Sequence, residues 1–206
     1  MAKNLFIDVE TYSSVDIKES GAYKYIESPD FEILIIGYAL DNGPVNIVDL
    51  AQGDDIPEEF EEALFDPECV KVAHNAVFER LSFRRIGYDI PAEQWYCTSV
   101  KAAYCGLPLS LDAVSKRLDL TDKKLDTGKA LIKYFSCPCK PTRINGMRTR
   151  NYPSNAPENG KCIRSITCMM CSLSVRYFKS YLLMKFQILS AECMCLTRIS
   201  TTEAFW

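Results

Sequence analysis

Three β-rich runs precede the first helix of this chain, and the first run ends in a pair of carboxylates. Residues 4–9, 33–40 and 44–50 form the runs, the last two joined by the turn-forming Asp41-Asn42-Gly43-Pro44, so they predict an antiparallel meander. Pro57–Phe65 follows as a helix with proline at its start and acids in its first turn. Val70–His74 predicts a fourth strand leading into a helix over Asn75–Ile86, with Gly87 suited to its C-terminal cap. Trp95–Thr98 is a fifth strand candidate, with a helix to Tyr104. Three strands, then helix, strand, helix and strand, predict an α/β fold with a mixed sheet flanked by helices.

Within Leu5-Phe6-Ile7-Asp8-Val9-Glu10-Thr11, Asp8 and Glu10 are two apart and project from one face of the strand. Like charges held that close repel, and a divalent cation with oxygen ligands relieves the repulsion. The competing reading is a strand that ends in two solvated acids. In the second segment, Asn75 and Glu79 are four apart on one helical face, with Phe78 anchoring the same turn. Glu79 there could be a further ligand and Asn75 a substrate contact. Alternatively, Asn75 is a helix cap and Glu79 pairs with Arg80 or Arg84.

Together, Asp8, Glu10 and Thr11 (Asp-x-Glu-Thr) and Asn75, Phe78 and Glu79 resemble the first two motifs of the proofreading-type 3′–5′ exonucleases. The resemblance is to the exonuclease domain of phage-type family A DNA polymerases, of the ribonuclease-H-like superfamily. It covers residues 3 to 157, so an exonuclease-like domain is expected over 1–157 and a tail of uncertain structure over 158–206. It implies hydrolysis of the terminal phosphodiester of single-stranded DNA with two Mg²⁺ ions, Mn²⁺ substituting, held ~3.5–4 Å apart. Asp8, Glu10 and Glu79 would be the catalytic metal ligands. Thr11 and Asn75 would contact the terminal nucleotide, with Phe78 beneath them. The wider family has Asp where Glu79 stands, although phage-type members accept Glu. A polymerase domain in a longer parent is the implied partner. An RNA 3′–5′ exonuclease and an inactive single-strand-binding remnant are the competing functions.

Net charge is −3, so attraction to nucleic acid needs a local basic patch. Residues 137–157 hold four prolines and no hydrophobic period, which predicts a long loop. Lys140, Arg143, Arg148 and Arg150 make it basic and suited to a DNA backbone. Helices are expected over Ser110–Leu118 and Asp126–Phe135. No run has the apolar length of a membrane span and no signal peptide opens the chain, so a cytoplasmic setting is expected. There, ten cysteines point to thiols or metal ligation rather than disulfides.

The resembled family also takes a fourth acid from a third motif, an Asp preceded by Tyr four residues earlier or by a His farther upstream. His74 is the only histidine and lies in the second segment, while the last Asp in the chain is Asp126. The tail explains the gap if its codons are read out of frame from about Gly160. One shifted reading carries Tyr-x-x-x-Asp on a charge-rich helix, with Met169-Met170 forcing the Asp codon. The written tail is then expected to pack poorly and the written enzyme to be impaired. A zinc site from Cys162, Cys168, Cys171, Cys193 and Cys195 is the weaker alternative, since Cys168 and Cys171 alone have ligand spacing.

Overall fold

The computed structural model describes residues 2–120 and 128–202, and within these leaves the side chains of residues 128, 129, 162 and 181–202 undescribed. Five strands build one mixed sheet in the order β3-β2-β1-β4-β5. They are β1 (Asn4–Tyr12), β2 (Glu32–Leu40), β3 (Asn46–Asp49), β4 (Val70–Ala73) and β5 (Trp95–Cys97). β1 pairs antiparallel with β2 and parallel with β4, so the apolar run ending in the two acids is the central strand. The helices are α1 (Ile17–Ile26), α2 (Glu58–Phe65), α3 (Val77–Arg85), α4 (Thr98–Tyr104), α5 (Leu111–Arg117), α6 (Gly128–Ser136) and α7 (Pro157–Thr202). The expected start of α6 at Asp126 lies outside the described residues.

β1 is buried on both faces, and alternation sorts its side chains. Leu5, Ile7 and Val9 pack with Phe60, Leu64, Leu81 and Phe83 under α2 and α3. Phe6 points the other way, into a cluster with Ala39, Val72, Cys171, Val175 and Phe178. Asp8 and Glu10 share the parity of Phe6, so the acids belong to the face that α7 covers. Lys71 is fully buried in β4, and its ammonium donates to the carbonyls of Asp66 (2.6 Å), Cys69 (2.8 Å) and the Gln94 side chain (2.7 Å). Those three bonds satisfy all of its donors and tie β4 to the segments around it.

Two expectations are corrected. The first helix, expected after three strands, lies between β1 and β2: Asp16 caps α1, its side chain accepting the Lys18 N–H at 2.7 Å. Gly21, at φ +79°, interrupts the helix and hides its periodicity in the sequence. The tail, expected to pack poorly, continues as α7, and as far as Phe178 it is well buried. Ile163, Ile166, Thr167, Cys171, Ser174, Val175 and Phe178 are buried at spacings of three and four. The stripe escapes a hydrophobicity reading because Thr, Cys and Ser fill its middle. Small side chains are needed there because α7 crosses Gly37 closely, where an added Cβ would lie 3.1 Å from Thr167 Cγ2 and 3.3 Å from Cys171 Cβ. No helix among the described residues is long and apolar enough to cross a membrane.

Candidate active site

Asp8 and Glu10 emerge near the end of β1, and Glu79 comes from the first turn of α3, which follows β4, the neighbour of β1. Between Glu10 and Thr11 the β1–β2 register slips by one residue, with Leu34 the extra residue on β2. By alternation Thr11 falls on the same face as Val9, the α1 side, where its hydroxyl lies 3.0 Å from the Tyr25 hydroxyl. Tyr25 in turn packs against Phe78, ring centroids 6.1 Å apart.

The three acids are almost wholly buried, Asp8 at 8%, Glu10 at 6% and Glu79 at 4% exposure. Burial pushes Asp8 up to about 7. Burial, reinforced by the charge of Asp8, lifts Glu10 and Glu79 well above the usual carboxylate range. The N-terminal turn of α3 favours the Glu79 anion, but desolvation outweighs it. Asp8 Oδ2 and Glu79 Oε2 are buried without a hydrogen-bond partner. Two orphaned carboxylate oxygens with no compensating cation are costly, and oxygen donors of this kind suit a hard divalent ion. Among the described residues, no group of three or more His, Cys, Asp or Glu side chains is arranged to hold a metal ion as it stands. That statement covers Cys168 and Cys171 as well as the acids; Cys162, Cys193 and Cys195 lie outside the described side chains.

Two thiols that the sequence reading left out of the acid site adjoin it. Cys171 of α7 is fully buried, and its thiol is pushed well above its ordinary value by burial and by the charge of Asp8. Cys97, at the end of β5, raises Glu79 slightly. Burial raises the Cys97 thiol, yet hydrogen bonds from Ser99 and the amides of Val100, Ala76 and Asn75 bring it below its ordinary value.

A groove of about 890 Å³ reaches Glu10, the one site acid that lines it. Glu10, Thr11, Tyr25, Phe78, Lys133 and Pro138 are among the residues that line it. Tyr25 and Lys133 were not legible as site residues, the first because α1 was unseen and the second because a lone lysine on a helix carries no signal. Asn75 is exposed at φ +72°, a left-handed conformation asparagine tolerates. Its carbonyl accepts the Phe78 N–H at 2.9 Å, and the helix begins two residues later than expected. His74 is committed to structure, with Nδ1 2.9 Å from the Thr98 hydroxyl and Nε2 2.8 Å from the Leu109 carbonyl oxygen.

The basic loop is divided. Lys140 and Arg143 are exposed. Arg148 is half-buried and donates to Asn151 at 3.2 Å. Arg150 forms an ion pair with Glu32 at 2.5 Å, its guanidinium between the rings of Tyr12 and Tyr152 at 3.8 and 4.9 Å. Arg150 therefore fastens the loop to β2 in this arrangement.

The mixed five-stranded sheet in the order β3-β2-β1-β4-β5, flanked by helices, is an α/β fold of the ribonuclease-H-like kind. Over 157 residues, 76% of its length, the chain is 51% identical to a DNA polymerase of Bacillus phage SP02. The chain spans 24% of that polymerase's length. No protein-family model matches. Among solved structures, Brucella melitensis NrnC with bound Mg²⁺ aligns at a TM-score of 0.45 and 11% identity, over 89% of this chain and 87% of that one. NrnC bound to pGG aligns at 0.45 and 13% identity, over 84% of each chain.

Proposed function

We propose that this chain is the 3′–5′ exonuclease, proofreading-type module of a phage DNA polymerase, acting on the 3′ end of single-stranded DNA in the cytoplasm. The observation that carries the reading is the pair of orphaned oxygens on Asp8 and Glu79, in a buried acid cluster whose third member, Glu10, lines a groove. Asp8, Glu10 and Glu79, all oxygen donors, would hold divalent cations, Mg²⁺ in the first place with Mn²⁺ as substitute. Two such ions supply Lewis-acid activation of water and neutralise charge on the leaving oxygen when bound.

The chain's own residues do the rest. Thr11, held by Tyr25, and Asn75 contact the terminal nucleotide, and Phe78 supports it. Burial keeps the three acids dry, which strengthens their attraction for cations. Lys140, Arg143 and Arg148 approach the incoming backbone. A polymerase domain, the remainder of the longer relative, is the proposed partner.

The written chain should be a weak enzyme, because no Asp follows Asp126 and α7 therefore supplies none as the resembled family's fourth acid. The test uses a 5′-labelled single-stranded DNA oligonucleotide with Mg²⁺ and Asp8→Ala as control. Slow, stepwise shortening from the 3′ end that Asp8→Ala abolishes is the expected result. Internal cuts, or shortening that survives Asp8→Ala, would overturn it. Binding without any cleavage would put the remnant reading ahead, and faster loss of an RNA oligonucleotide the RNA reading.

A further inference from the structure

The loop between Cys139 and Thr149 has more order than its composition suggests. Its ends are joined by the Cys139 N–H and Thr149 carbonyl at 2.7 Å, and Met147 N–H reaches the Thr142 carbonyl at 2.8 Å. The Asn145 side chain lies at the centre, donating to the carbonyls of Lys140 (2.9 Å) and Arg148 (3.3 Å) and accepting the Thr142 N–H (2.8 Å). Gly146 and Met147 both take left-handed backbone, at φ +66° and +61°. For a methionine that conformation is strained, and strain persists only where surrounding bonds enforce it. At the tip this scaffold displays Ile144, 100% exposed, and Met147, 62% exposed. A fully solvated isoleucine on a braced loop gains nothing for the folded chain, since its burial value is unused.

The loop's position gives the tip a use. Its root, Ser136–Pro138, lines the groove that leads to Glu10 and Thr11. Just beyond the loop, the Arg150 clamp with Glu32, Tyr12 and Tyr152 holds that root against the sheet. The exposed cations Lys140 and Arg143 flank the apolar tip.

We propose that this loop is a wedge for the end of a DNA duplex. Ile144 and Met147 press on the terminal base pair, while Lys140 and Arg143 engage the flanking phosphates. Isoleucine and methionine are among the apolar wedges that unstack base steps, at a cost of a few kcal/mol per step. The inference rests on the exonuclease reading above, in that a groove accepting one strand requires the last pair of a duplex to open first.

The test separates the two readings because it needs no cleavage. A blunt DNA duplex carrying 2-aminopurine at its terminal 3′ position is mixed with the full chain in EDTA, and fluorescence reports unstacking. Circular dichroism confirms that each variant is folded. The parent is expected to raise the fluorescence of bound duplex, and Ile144→Ser combined with Met147→Ser to return it to the level of free duplex. Val100→Ser, an exposed apolar change on α4, is expected to keep the parent signal. No rise with the parent, an undiminished rise with the double variant, or equal loss with Val100→Ser would each overturn the wedge. The first of these includes a tip that serves to contact another protein. Loss of the exonuclease reading would instead appear as Asp8-independent cleavage of single strands, with the fluorescence result unchanged.

Discussion

Asp8 and Gly37 face each other across the β1–β2 ladder, and the side chain missing at Gly37 is the space that α7 fills with Thr167 and Cys171. Directly opposed residues of an antiparallel pair point to the same face. A helix lying over Gly37 therefore lies beside the Asp8 carboxylate, which is why the Cys171 thiol feels that charge.

Gly37→Ala should lift α7 from the sheet. The new Cβ would meet Thr167 Cγ2 at 3.1 Å, and overpacking of this kind costs about 1–3 kcal/mol. Thr167→Ser removes that methyl and retains the hydroxyl that donates to the Ile163 carbonyl, so it should recover part of the loss. Urea unfolding of the two single variants and the double variant gives the coupling; strict additivity would contradict the close approach.

Phe178→Ala tests the tail directly. Phe178 meets Phe6 and Tyr96 edge-on, centroids 5.3 and 5.2 Å away, so truncation should cost about 3–5 kcal/mol. A loss below about 1 kcal/mol, as for an exposed surface change, would restore the expectation of a poorly packed tail.

The acids make stability depend on pH with an unusual sign. Asp8 is raised to about 7 and Glu10 and Glu79 are raised as well, so the folded chain keeps protons that the unfolded chain has released. Their contribution is complete below the ordinary carboxylate range, about pH 4, and is lost as pH rises toward and through 7. Mg²⁺ should therefore raise the melting temperature more at pH 7.5 than at pH 5. Asp8→Asn should flatten the dependence. An equal Mg²⁺ effect at both values would exclude these acids as the ion's ligands.

Cys171→Asp should supply the missing acid from α7. Adding a fourth buried carboxylate should destabilise the metal-free protein and make Mg²⁺ a stronger stabiliser. Mg²⁺ affinity by calorimetry, and the rate of mononucleotide release, should rise by roughly 10- to 100-fold, the usual worth of a group that orients a metal site. No change in affinity would show that α7 does not face the ions.

Apart from α1, the order of strands and helices was legible because each predicted element carries a local signal: β-rich composition in the three early runs, proline and acids opening α2, and the apolar run of β4. Alternation also put Asp8 and Glu10 on one face before any contact was known. α1 escaped because Gly21 breaks its period, and the α7 stripe escaped because Thr167, Cys171 and Ser174 are small and weakly hydrophobic.

The sequence by itself determined the paired acids and their strand, since i, i+2 geometry is a property of neighbours along the chain, whereas the central place of that strand came from its parallel pairing with β4. Only the tertiary structure decided what surrounds them: Glu79 brought from α3, Cys171 set over Gly37, Tyr25 holding Thr11, and Arg150 spent on Glu32 rather than left free. Those relationships join residues from 14 to 134 positions apart, and burial and electrostatics at that range depend on packing, which no local period encodes.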